Sequence, residues 1–207
     1  VSQSITQSLA AALAAGATRM GELLITGHYE LRHHLDAGSP PDALTLFSDP
    51  AAARDIALYD AGGNYRPLRT APTLKRGWRM TLSSIEQLHE ALDSFYPAML
   101  AARLAFDQSR LTVTPLRDTL NRQSGMYAVT RKISDPQAHA LIAATCRSDC
   151  GCLKTILWPI SPGNPVTSLP PEKFLPDPDP HIIPLLCAEA CNLLVARARE
   201  VVKQSSA

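Results

Sequence analysis

The chain has 207 residues, 20 basic against 19 acidic for a formal net charge of +1, and 45% of its residues are hydrophobic. At roughly 150 residues per domain this is one large domain or two small ones, with core enough to fold without disulfides. The charge balance argues against a dedicated nucleic-acid binder, the hydrophobic content excludes a disordered chain, and no apolar run reaches the roughly 18 residues of a membrane span.

Ser4–Ala15 reads as a helix with Ser4 as cap and Gly16 as its stop. Val1–Ala17 is apolar but lacks the basic leading segment of a secretion signal, so the expected compartment is the reducing cytoplasm. Leu23 and Ile25, then Leu31 and Leu35, alternate on either side of Thr26-Gly27, which predicts two strands joined by a turn. Ser39-Pro40-Pro41 breaks that pattern. Asp49–Tyr59 predicts a short helix capped by Asp49 with Pro50 in its first turn. Ala61–Asn64 predicts a turn, Tyr65–Thr70 an extended segment and Trp78–Leu82 a strand. Ser83–Met99 predicts an amphipathic helix, with Ile85, Leu88, Leu92, Phe95 and Met99 at spacings of three and four behind a capping box.

A second unit is expected from Leu111, giving a small α/β domain over residues 1–110 and an α+β cysteine-ligated domain over 111–207; the fold class is α+β. Ser134-Asp135-Pro136 opens a helix that runs to about Cys146, and Leu153–Ile160 predicts a strand. Of the 17 prolines against 10 glycines, several crowd Pro159–Pro184, which predicts a rigid extended connection over Ser161–Pro180. A last helix is expected over Ile182–Val202, with Leu186, Leu193, Leu194 and Val201 inward.

All five cysteines lie in the last third, as Cys146-Arg-Ser-Asp-Cys150-Gly-Cys152 and Cys187-Ala-Glu-Ala-Cys191. Core packing accounts for Cys191 alone but poorly for a C-x3-C-x-C loop, and an odd number without an export signal does not suit a disulfide framework. Metal or cluster binding remains. Placed on one helix, Cys187 and Cys191 would share a face, with Pro184 at the helix start and the dipole favouring thiolates. Four thiolates suit a [4Fe–4S] cluster or structural zinc; zinc sites more often use C-x2-C knuckles, and neither group has that spacing, so the cluster is favoured. The radical-SAM triad has two residues in its second gap and does not fit. Cys146, Cys152, Cys187 and Cys191 are anchored by their elements and are the expected ligands, with Cys150, in the middle of its loop, as the alternate.

Other residues invite a functional reading. His33-His34 could bind a metal or tetrapyrrole, but strand neighbours point to opposite faces, so the pair is not expected to chelate together. His139 and His181 are reserve ligands. Arg131, Lys132 and Lys154 place positive charge near the cysteines, either against an anionic cluster or as solvated surface. Tyr65-Arg66, Arg69 and Lys75-Arg76 form a basic stretch that reads by default as surface. Trp158 is expected to pack near the cluster and limit water.

Ser124-Gly125-Met126-Tyr127-Ala128-Val129-Thr130-Arg131-Lys132-Ile133, Cys146, Cys152, Leu153–Trp158 and Pro184–Leu194 together resemble the iron–sulfur domain that follows a CbiX-like chelatase domain in a Deinococcus-type multidomain protein family. Glu30–Gly38 and Tyr59–Thr70 resemble the small stabilising domain of the same proteins, and the likeness covers about residues 20–200. The resemblance implies a [4Fe–4S] module associated with metal insertion into a sirohydrochlorin-type tetrapyrrole. The chelatase domain has no counterpart in this sequence, so the expected role is an electron-transfer or redox-sensing partner of a separate CbiX-like chelatase. A structural zinc scaffold and a cluster-dependent tetrapyrrole enzyme are the alternatives.

Overall fold

The computed structural model describes residues 4–57, 74–147, 152–174, 179 and 181–205. In chain order the elements are α1 (Ile5–Ala14), β1 (Thr18–Met20), β2 (Leu23–Thr26), β3 (Glu30–His33), β4 (Thr45–Phe47), α2 (Ala52–Ile56), β5 (Trp78–Thr81), α3 (Ile85–Phe95) and α4 (Met99–Asp107). There follow α5 (Leu116–Asn121), α6 (Asp135–Thr145), β6 (Thr155–Ile156), β7 (Ile182–Ile183), β8 (Leu186–Cys187) and α7 (Asn192–Gln204). Two compact units divide at Arg110 and Leu111, and residues 181–185 belong to the first. No helix among the described residues is long and apolar enough to cross a membrane.

The first unit is a mixed six-stranded sheet in the order β4-β5-β3-β2-β1-β7. Leu23 and Ile25 pair across the antiparallel ladder with His33 and Leu31, so one face is apolar and buried. Strand β5 brings Trp78 and Met80 to this core, where Trp78 stacks on Phe95 of α3 at 5.4 Å. Helix α1 starts in the Ser4–Gln7 capping box, as its sequence predicts.

Several expectations are corrected. The helix expected over Ser83–Met99 ends at Phe95, because Pro97 holds Tyr96 extended (φ −135°, ψ 77°) and the chain restarts as α4. The alternation expected through Leu35 stops short: the strand ends at His33, and Leu35 is 59% exposed in a 3-10 turn. That turn also undoes the strand argument for His33-His34, whose rings stack at 5.0 Å instead of pointing to opposite faces. The expected turn over 61–64, the extended segment 65–70, and Tyr65, Arg66 and Arg69 lie outside the described residues.

The turn after β3 is pinned by Asp36, whose Oδ2 accepts the Gly77 N–H at 2.7 Å while Oδ1 accepts from Arg76. Burial works against this carboxylate's charge, but the Gly77 N–H and the Arg76 guanidinium more than offset it and hold its pKa below the usual value. A depressed folded-state pKa stabilises above the unfolded value, about 4, and the contribution is lost as pH falls through the folded one. Asp36→Asn is therefore expected to cost about 1–3 kcal/mol at neutral pH and to flatten the loss of stability below about pH 4. Urea melts of both proteins across pH 3–7 check this, and parallel acid limbs would refute it.

The second unit packs α5, α6 and α7 around Leu120, Ile142, Trp158, Leu194 and Ala198. Ser134 caps α6 in a reciprocal box with Gln137. The Gln137 side chain also donates to Ser205, just beyond α7, at 3.1 Å. The start of α6 therefore lies beside the end of α7, the two helices run antiparallel, and the end of α6 meets the start of α7. The strand expected over 153–160 is reduced to β6, which pairs in parallel with β8, because Pro159 cannot donate to a ladder. The Pro-rich stretch is no extended connection over its described part: Ser161 and Asn164 bridge, Val166 and Leu169 enter the core, and Pro171–Lys173 forms a 3-10 turn.

Candidate metal centre

The antiparallel pairing of α6 and α7 brings the two cysteine groups to one end of the second unit. Cys146 is the C-cap of α6, its N–H bonded to Ile142 O at 2.8 Å. Cys152 returns to the same place, its N–H donating to Arg147 O at 3.2 Å. Cys150 itself lies outside the described residues.

Cys187 and Cys191 do not share a helix face. Cys187 is the last residue of β8, and Cys191 is the N-cap of α7 (ψ 162°). The reason lies upstream: Ile182 and Ile183 are taken by the first unit's sheet, Pro184 biases its predecessor to extended backbone, and β8 finds β6 as partner. A short turn then carries the chain into the helix. Ala188 O accepts from Thr114 N–H at 2.9 Å, and Glu189 accepts from Thr119 Oγ1 at 3.2 Å and pairs with Arg122. These contacts hold the two cysteines in place without a helix between them.

None of the four described cysteines is in a disulfide; Cys146 and Cys152 are buried, Cys187 and Cys191 half-buried. Burial pushes the Cys146 thiol well up, the nearby Cys152, Cys187 and Cys191 push it further, and Lys173 opposes them. Burial also raises Cys187, against the Trp158 indole N–H and Lys154, while Cys191 and Cys152 add to the rise. The other three sulfurs thus all act on Cys146, and at Cys146 and Cys187 the surroundings resist accumulating negative charge. A thiolate-bound group must bring compensating positive charge, and binding it must release protons.

Two further features favour such a group. The Trp158 N–H points at Cys187 Sγ at 3.3 Å from a side chain only 2% exposed, so a donor to sulfur is built in and the indole lies beside the cysteines. Lys173, which carries no sequence signal because a lysine among prolines reads as surface, is buried and donates to Cys152 O at 2.6 Å. Of the cations expected near the cysteines, Lys154 acts on Cys187. Arg131 and Lys132 are exposed, and Arg131 bonds Gln123 O at 2.7 Å. His139 is half-buried on α6, with its charge felt by Asp135. His181 belongs to the first unit, its Nδ1 3.3 Å from Ala17 O.

Among the described residues no group of three or more His, Cys, Asp or Glu side chains is arranged to hold a metal ion. A four-iron cluster asks for a different arrangement, since it distributes its cysteine ligands over separate irons. The donor set present, four thiols with an N–H donor and lysines around them, fits such a cluster.

Comparison with known proteins agrees with this chemistry. Residues 6–106 match the family model of the DR2241 stabilising domain, and residues 108–200 match that of a 4Fe-4S iron-sulfur cluster binding domain. Among solved structures the chain is similar to DR2241 from Deinococcus radiodurans, described as a multi-domain protein with structural similarity to chelatases and two additional novel domains. The identity is 34% and the TM-score 0.72, over 97% of this chain and 42% of that one, so this chain spans less than half of its relative's length. No curated protein matches. A DR2241-type stabilising domain is thus followed by a 4Fe-4S binding domain, and the cofactor of this protein is a [4Fe–4S] cluster.

Proposed function

We propose that Cys146, Cys152, Cys187 and Cys191 hold the cluster, with Cys150 as the alternate ligand, and that the protein is an electron-transfer or redox-sensing accessory of tetrapyrrole metal chelation. The observation that carries this reading is the convergence of the four sulfurs at one end of α6 and α7, expressed in their mutual effect on Cys146. When bound, a [4Fe–4S] cluster supplies one-electron redox chemistry at a potential set by hydrogen bonds, charge and burial around its sulfurs. The chain's own residues do the rest: Trp158 donates toward Cys187 Sγ and screens the site from water, and Glu189, Thr119 and Arg122 hold the turn between Cys187 and Cys191. No residue is assigned a catalytic step.

The link to chelation rests on the relative, whose described similarity to chelatases lies in a protein more than twice as long. A separate CbiX-like chelatase is the partner this reading names, a sirohydrochlorin-type tetrapyrrole its ligand, and the reducing cytoplasm its compartment; neither nucleic acid nor membrane is a partner. The test is anaerobic purification with assays for iron, zinc and acid-labile sulfide, followed by dithionite and reoxidation. Iron and sulfide in equal amounts, with absorption that bleaches and returns, support the redox role. A cluster that cannot be cycled, and whose removal unfolds residues 111–205, leaves a structural module instead. Zinc without sulfide overturns the reading.

A further inference from the structure

Lys173 is among the largest fully buried side chains of the protein, with 2% of its surface exposed. Its Nζ donates to the carbonyl of Cys152 at 2.6 Å, and no carboxylate forms an ion pair with it among the described residues. A carbonyl satisfies one of three donors and none of the charge. An ammonium taken out of water without a counter-ion is strongly unfavourable, so a buried lysine needs a negative partner. The described surroundings offer one kind: its charge acts on Cys146, and its hydrogen bond is to the backbone of Cys152. Four thiolates carry more negative charge than a four-iron core carries positive, so an assembled site is a net anion. The other cations are placed differently. Arg131 and Lys132 are exposed, where water and salt screen them, and Lys154 is only half-buried and acts on Cys187.

We propose that Lys173 is the fixed counter-charge of the [4Fe–4S] cluster, a cation buried beside its ligands that favours the reduced, more negative state and so raises its potential. This rests on the ligand set given under the proposed function. The Pro-rich segment then has a role of its own, since Val166 and Leu169 anchor it in the core and its 3-10 turn delivers Lys173 to the site.

The test is an anaerobic redox titration of the whole chain followed by electron paramagnetic resonance, dithionite supplying the single electron. With iron and sulfide at the wild-type level, Lys173→Met is expected to lower the equilibrium constant for reduction about tenfold, a downward shift of about 59 mV for one electron. Lys173→Arg, which keeps the charge, is expected to stay near the wild type. A loaded Lys173→Met protein with an unchanged potential overturns the proposal, as does an Arg variant shifted equally. Should Lys173→Met fail to load, Lys173→Gln and Lys173→Arg decide: cluster retained by Arg and lost by Gln supports the counter-charge, and any other combination refutes it. Absence of iron and sulfide from the wild type is the distinct outcome that overturns the ligand set itself.

Discussion

Cys146→Ser is expected to abolish the cluster, with iron and acid-labile sulfide falling below about a tenth of the wild-type content in anaerobically purified protein. A serine oxygen is a poor substitute for thiolate on iron, and this residue has no freedom to compensate. It is buried, is held by the Ile142 carbonyl at the end of α6, and is itself part of the second unit's core. The same result is expected for Cys152, Cys187 and Cys191, whereas Cys150→Ser should keep its iron. Because metal-binding free energy is folding free energy, hydrogen exchange should rise across residues 111–147 and 186–205 and stay low in β2, β3 and β5. Full iron and sulfide in Cys146→Ser, or a loss in Cys150→Ser as deep as in the other four, would sink the assignment.

Gly21→Ala is expected to destabilise the first unit by roughly 3 kcal/mol, from about 1–2 for a non-glycine residue at positive φ and about 1–3 for overpacking. Gly21 sits at φ +57°, and a Cβ there would lie 2.6 Å from the Tyr96 ring and its hydroxyl and 2.9 Å from Leu185. Neither neighbour can step aside cheaply. Tyr96 is 2% exposed, and its hydroxyl accepts the Glu22 N–H at 2.8 Å, while Leu185 is buried just beyond the end of β7. At about 4–8 °C per kcal/mol for a unit of this size, the melting temperature should fall by more than 10 °C. Calorimetry of the whole chain measures it; a fall of under about 2 °C would show that the close approach of Tyr96 does not constrain this turn.

The legible parts of the fold are those written in short-range pattern. Ser4, Ser84 and Ser134 each precede a glutamine by three residues, and each caps a helix. Alternation at Leu23, Ile25 and Leu31 announces β2 and β3. Strands β1 and β4 carry no such signal, because three residues are too few to show a period of two. The apolar spacing of α3 runs on through Met99, so α4 merges with it unless Pro97 is weighed as a helix breaker. The largest correction concerns residues 182–191. Their apolar spacing suits a helix, yet Ile182 and Ile183 pair with Arg19 and Met20, more than 160 positions earlier in the chain, and Leu186 and Cys187 pair with β6.

Cofactor chemistry and cofactor geometry divide along the same line. Five cysteines in the last third, in two groups without zinc-knuckle spacing, are enough to indicate a cluster, because ligand type and number are local to the chain. How the two groups meet is not local. It depends on α6 and α7 running antiparallel, on a strand at Cys187 where a helix was expected, and on a turn tied down by Thr114, Thr119 and Arg122. Lys173 shows the difference most clearly. Lysine in a proline-rich stretch reads as solvated surface, and only the packing of Val166 and Leu169 into the core carries it to Cys152. Periodicity, caps and ligand chemistry are carried by neighbours in sequence; burial, and with it the charge balance around the thiols, is set by residues that meet only when the chain has folded.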